Sequence, residues 1–148
     1  LEIVASEPEA CPSLMKGEYR YDFGDTGHLT PLLKMCTLGS DFLPPPIHAG
    51  GLRYHGASPI VSRLVTEKLV RPDDLTQEEI LQAAQIFSLT EGIIPAPESA
   101  HAIASAIKEA KKCKENRESK TIVFNLSGHG LLDLASYDHI SKINGKGL

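Results

Sequence analysis

The second half of this chain carries apolar residues at helical spacing, and the first half holds no sustained period. Ser58-Pro59 supplies an N-cap followed by proline at the first helical position, and Val61, Leu64, Val65 and Leu69 continue an apolar face. Thr76-Gln77-Glu78-Glu79 reads as a capping box. Ile80, Ala83, Ala84 and Phe87 then keep helical spacing to about Leu89, before Gly92 and Pro95 break the chain. A third helix is predicted from near Glu98 to Cys113, with Ile103, Ala106, Ile107 and Ala110 turned inward. Thr121 to Leu126, TIVFNL, is a short apolar strand candidate after a charged turn, of the kind a parallel sheet covers on both faces. Ser127-Gly128-His129-Gly130 follows at its C-terminal end, and a last helix is predicted over about Ser136 to Ile143.

In the first half, LEIVA at 1 to 5 is a strand candidate ended by Glu7-Pro8. Residues 6 to 57 hold most of the prolines and glycines, including Pro44-Pro45-Pro46 and Gly50-Gly51. One helical stretch is expected near Leu32 to Leu38, and the remainder reads as irregular. So long an irregular stretch is usually functional or dependent on neighbouring structure. Helix, strand and glycine-containing loop in succession form an α/β signature. Ligands in open α/β sheets bind beyond the carboxyl ends of strands, so the Ser127 to Gly130 loop is the first place to look for chemistry.

Composition narrows the classes. The chain has 148 residues, 41% hydrophobic and 23% charged, with net charge -4, which is ordinary for one globular unit. Its densest basic run, Lys108 to Lys120, is interleaved with glutamates and suits a solvated helix end better than nucleic acid or an anionic membrane. Cys11, Cys36 and Cys113 are odd in number and far apart, which argues for a reducing, cytoplasmic setting over a disulfide framework. No apolar run approaches the ~20 residues of a membrane span. The six histidines include no HExxH and no close Cys/His pair, so zinc is not expected. Leu1 opens directly on an apolar strand, and the chain is expected to be a piece of a longer protein.

Four stretches carry recognisable wording: DFGDT at 22 to 26, PPPIHAGGLRYHG at 44 to 56, EGIIPAPESAHA at 91 to 102 and FNLSGHG at 124 to 130. In order and spacing they resemble the C-terminal region of tryptophan synthase beta chains, in the second, archaeal and bacterial type. The resemblance runs from about Leu1 to Tyr137. It implies a pyridoxal 5'-phosphate (PLP) enzyme of fold type II, of which this chain is the C-terminal part of the larger domain. That part is an open, mostly parallel sheet flanked by helices. The implied reaction joins L-serine and indole into L-tryptophan by β-replacement. The resemblance allows an alpha-subunit partner and a homo-oligomer. The lysine that binds PLP as a Schiff base, and the glycine-rich phosphate loop, lie N-terminal to this region in the family. No lysine here matches that motif, so the isolated chain is expected to be inactive.

Residue by residue, the resemblance makes Ser127 the acceptor of the pyridine nitrogen, followed by Gly128. A neutral hydroxyl bonds an unprotonated nitrogen, whereas a carboxylate stabilises the protonated ring. Taken alone, Ser127-Gly128 reads rather as a simple chain turn, and the flanking motifs reverse that reading. Glu98 is placed beside the cofactor as the catalytic carboxylate, although a glutamate at a helix start also serves the helix N-terminus. Gly50 and Gly51 let the loop pass the ring oxygen closely, with Gly51 the contact. The carbonyls of Tyr54 and Gly56 are candidate ligands of a monovalent cation. Arg53 stands where commoner beta chains carry a substrate-facing aspartate, and it could pair with a substrate or a protein carboxylate. His129 replaces an arginine, and His101 is expected to pack at its helix start. The alternatives are a PLP-dependent dehydratase of serine, threonine or a phosphorylated analogue, and a non-catalytic fragment acting only in assembly.

Overall fold

The structure, a computed structural model, describes residues 1–143, with side chains described through residue 138. It is α/β and divides into two compact units, Leu1–Asp74 and a second that begins at Leu75.

In the first unit, β1 (Val4–Pro8) pairs with β4 (Arg71–Leu75), while β2 (Glu18–Phe23) pairs antiparallel with β3 (Leu32–Thr37). The expected strand at 1 to 5 is displaced toward Pro8, and Leu1 and Ile3 are exposed. The helix expected near Leu32 to Leu38 is instead β3. Leucine, lysine and methionine are good helix formers, but intrinsic propensity is a small term, and a ladder running from Glu18↔Thr37 to Phe23↔Leu32 overrides it. The stretch read as irregular therefore holds a hairpin, and also a short helix, α1 (Ser13–Lys16). The buried Glu7 carboxylate caps α1, accepting from the main-chain N–H groups of Leu14 at 2.9 Å and Met15 at 2.8 Å. Burial still pushes its carboxyl above the usual carboxylate range, against the pull of those bonds.

The hairpin loop is closed by Asp25. Its carboxylate accepts from the Thr30 hydroxyl at 2.6 Å and from the N–H groups of Thr30 and Leu29, which holds its pKa down at about 2. Helix α2 (Pro59–Thr66) begins as its sequence signals, with the Ser58 hydroxyl accepting from Val61 N–H. It stops short of Leu69, because Lys68 turns left-handed at φ 60°. Ser62 is completely buried on α2. Its hydroxyl accepts from Cys36 N–H at 2.9 Å and donates to the Ala57 carbonyl, which fastens the helix to β3.

The second unit is built on α3 (Gln77–Glu91) and α4 (Pro97–Asn116), followed by α5 (Leu134–Ile143). The capping box at Thr76 and Glu79 forms in both directions, and Gly92 ends α3 in the left-handed region at φ 70°. Helix α4 starts because Pro97 takes its first position, which forces Ala96 into an extended conformation at ψ 147°. Leu75, Ile80, Leu81, Ala83, Ala84, Ala100, Ile103 and Ala104 form the core, with Phe87, Ile107, Phe124 and Tyr137 packed on it. Ala110, expected to face inward, is exposed.

The strand expected at Thr121 to Leu126 is a correction. The segment joins no ladder among the described residues, and Val123 is 87% exposed, so it is not covered on two faces. Only Phe124 turns to the core, meeting Phe87 edge to face at 5.8 Å. Apolar sequence creates the tendency to pair, but a strand exists only where another supplies its hydrogen bonds. The α/β class of the expectation holds, with small sheets flanked by helices; the described sheets have two strands each.

Candidate active site

The residues singled out from sequence fall into two groups. Gly50, Gly51, Arg53, Tyr54 and Gly56 lie in the first unit, and Glu98, Ser127 and Gly128 lie in the second.

In the first unit, Gly50–Leu52 forms a single 3-10 turn. Gly50 does not have a positive φ, and a side chain there would meet nothing within 4 Å, so the local fold does not require glycine. Gly56 is different. It bridges Thr37, and a Cβ there would press to 2.8 Å from Met35 Sδ. The bridge is fixed by Leu38 N–H donating to the His55 carbonyl at 2.7 Å and Ala57 N–H donating to the Cys36 carbonyl at 2.9 Å. Tyr54 and Gly56 thus flank a residue locked to β3, and Tyr54 is exposed. The exposed Arg53 donates to the Pro44 carbonyl at 2.9 Å, so it closes its own loop through a main-chain oxygen.

Below this loop, Asp22 is buried on β2. Its carboxylate accepts from the Thr37 hydroxyl at 2.8 Å and lies 3.2 Å from the Arg20 guanidinium. Burial opposes its ionisation, but the bonds from Thr37 and the Phe23 N–H and the charge of Arg20 outweigh it and hold the carboxyl below its ordinary range.

In the second unit, the segment Ile94–Ser99 holds the loop Ser127–Gly130. The Ser99 hydroxyl accepts from Ser127 N–H at 3.0 Å and donates to the Ser127 carbonyl at 2.5 Å. Gly130 N–H donates to the Ile94 carbonyl at 3.0 Å, and the Tyr137 hydroxyl donates to the Pro95 carbonyl at 2.6 Å. Gly128 is left-handed at φ 72°, and a side chain there would also crowd Ala96. Ser127 itself is exposed, and its hydroxyl has no partner among the described residues. Glu98 is half-buried in the first turn of α4, immediately before Ser99. Burial, with the charges of Asp133 and Glu98, pushes the Tyr137 hydroxyl up to about 12, so it remains a donor. His129 accepts from Leu131 N–H through Nδ1 at 3.0 Å and starts a 3-10 turn, Gly130–Asp133.

His101 packs at its helix start as expected. It is buried, and its Nδ1 lies 2.9 Å from the Pro97 carbonyl, a geometry in which Nδ1–H donates. Burial depresses its pKa below the ordinary histidine value. The folded form therefore binds fewer protons than the unfolded chain, and stability falls as pH drops below about 6.5 toward the folded pKa. A denaturation midpoint that declines from about pH 7 to about pH 5, with a shallower decline in His101→Gln, is the expected result. An identical decline in both proteins would assign it to other groups.

Ser99 and Tyr137 escaped the sequence reading. The only hint was the serine directly after Glu98 in PAPESAHA. Among the described residues no group of three His, Cys, Asp or Glu side chains could hold a metal, and no helix is long and apolar enough to cross a membrane. The three cysteines are free thiols.

The second unit thus presents an exposed hydroxyl from a glycine loop clamped to a helix start. The chain is 66% identical to tryptophan synthase beta chain 2 of Thermotoga maritima over 137 residues, which is 93% of this chain and 32% of that protein. It is 61% identical to beta chain 2 of Aquifex aeolicus over 138 residues, again 93% of this chain and 32% of the relative. With beta chain 2 of Methanosarcina acetivorans it shares 62% identity over 136 residues, 92% of this chain and 31% of the relative. No family model matches the chain. Over nearly its whole length, therefore, the chain is similar to tryptophan synthase beta chains, and it spans about 32% of the length of the first of these relatives.

Proposed function

We propose that this chain is the C-terminal segment of a PLP-dependent tryptophan synthase beta chain, belonging to the larger domain of a type II PLP fold. The whole protein condenses L-serine with indole. The observation that carries the reading is the Ser127 hydroxyl, exposed and unpartnered among the described residues, on a residue whose N–H and C=O are both tied down.

The residues present fit PLP chemically. A neutral hydroxyl can donate to an unprotonated pyridine nitrogen. Gly50 stands where its own fold has no need of glycine, which is understandable if a cofactor ring approaches that backbone. When bound, PLP withdraws electrons from the α-carbon of an amino acid, so that bonds to that carbon and at the neighbouring β-carbon can break. Ser127 would hold the ring nitrogen, the Gly51 backbone would pass the ring oxygen, and the Glu98 carboxylate would hold and move a proton. The PLP-binding lysine and the phosphate loop come from residues N-terminal to this segment. The Tyr54 and Gly56 carbonyls would hold a monovalent cation, and Arg53 keeps donors beyond the one it gives Pro44 for a substrate carboxylate. The whole protein works in the cytoplasm as a homo-oligomer, and an alpha subunit is its natural source of indole.

Substitution of Ser127 in the whole protein tests the reading. Ser127→Asp places a carboxylate against the nitrogen and favours its protonated form. Tryptophan formation is expected to fall about tenfold or more, with a changed absorption spectrum of the bound cofactor. Ser127→Ala should be milder, since the ring needs no proton. An aspartate variant that folds, binds PLP and keeps the parent's spectrum and rate would refute the assignment.

A further inference from the structure

We propose that Ser99 is the positioning residue for Ser127, an inference that rests on the reading of Ser127 given above. Its side chain is buried, and its one hydroxyl makes both main-chain hydrogen bonds of a residue 28 positions away: it accepts from Ser127 N–H and donates to the Ser127 carbonyl. Other main-chain groups or water usually satisfy a loop's main chain, and here a helix side chain does so. Rotation of either peptide plane at Ser127 breaks a bond to Ser99, so the clamp fixes the Cα–Cβ direction and with it the region the free hydroxyl can reach. The bonds from Gly130 to Ile94 and from Tyr137 to Pro95 act beyond Ser127. Among the described residues Ser99 alone bonds the residue that carries the hydroxyl.

The clamp has a second consequence. Ser99 follows Glu98 in the first turn of α4, so one helix start fixes both the carboxylate and, through the clamp, the ring-nitrogen partner. Any displacement of that turn moves the two groups together. The site geometry is then a property of α4, the longest helix described, and not of an exposed loop.

The test uses the whole protein in parent, Ser99→Ala, Ser99→Thr and Ser127→Ala forms, with two readouts. The first is amide hydrogen exchange at Ser127 in the cofactor-free protein. The second is the affinity for PLP and the spectrum of bound PLP. Ser99→Ala is expected to speed exchange at the Ser127 amide about tenfold and to weaken PLP by about three- to tenfold, with a shifted spectrum. Ser99→Thr keeps a hydroxyl and should recover most of both. Unchanged exchange at Ser127 in Ser99→Ala overturns the clamp. Equal losses in Ser99→Ala and Ser99→Thr also overturn it, because packing and not hydrogen bonding would then be responsible. If Ser127→Ala weakens PLP while Ser99→Ala does not, the positioning role is wrong and the reading of Ser127 stands. If Ser127→Ala leaves affinity and spectrum untouched, the reading of Ser127 fails and this inference goes with it, whatever the exchange rates show.

Discussion

Gly130→Ala is expected to lower the stability of the second unit by about 2–3 kcal/mol. Gly130 is buried, and a Cβ at that position lands on the Pro95 carbonyl oxygen and lies 2.7 Å from Ile94 Cγ2. Main-chain atoms cannot swing aside as a flexible side chain can. The segment Ile94–Pro95 would have to retreat, and the bond from Gly130 N–H to the Ile94 carbonyl would go with it. The informative control is Gly50→Ala, where a new methyl meets nothing within 4 Å and the change should stay within about 0.5 kcal/mol. Chemical denaturation of the two variants beside the parent measures both. Equal midpoints for Gly130→Ala and the parent would mean that the loop does not sit against Ile94 and Pro95 as described.

The other large effect is expected at Ile103, which is 2% exposed on α4 and packed in the cluster with Leu75, Ile80 and Leu81. Truncation to alanine removes its buried methylenes and leaves a cavity that the surrounding helices fill only in part. The loss should be about 2–5 kcal/mol, toward the upper end if α3 and α4 cannot close on the gap. Leu89→Ala removes a side chain that is 72% exposed on α3 and should cost no more than a few tenths of a kcal/mol beyond propensity. Denaturant midpoints again decide. Comparable losses at positions 103 and 89 would contradict the assignment of the core.

What could be read from sequence divides along the range of the interactions involved. The three helices α2, α3 and α4 announce themselves through neighbours in the chain. Ser58 with Pro59, Thr76 with Glu79, and Pro97 after Pro95-Ala96 each settle a helix start within four residues. The hairpin β2–β3 gave no such signal. Its strands earn their conformation only by pairing, and Leu32 to Thr37 on their own carry residues that suit a helix as well. The segment Thr121 to Leu126 shows the converse, since strand-like composition without a partner among the described residues stays unpaired.

The candidate site followed the same rule. Ser127, Gly128 and Glu98 stood out because their motifs are contiguous in the chain. Ser99 did not, because a serine in the first turn of a helix is ordinary, and only a contact spanning 28 residues makes it a clamp. Arg53 was read as a group awaiting a carboxylate, and its bond to Pro44 is a loop closure that charge alone could not foretell.

Beside Ile80, Leu81 and Ile103, the cluster between α3 and α4 takes two alanines from each helix: Ala83 and Ala84 from one, Ala100 and Ala104 from the other. An alanine has no rotamers to give up on burial, so joining these helices freezes little side-chain freedom compared with a seam of leucines. It also has no rotamers to exchange afterwards. The scaffold beneath Glu98 and Ser99 therefore has few alternative packings available to it, and thermal agitation finds little slack there to pass on to the residues it carries.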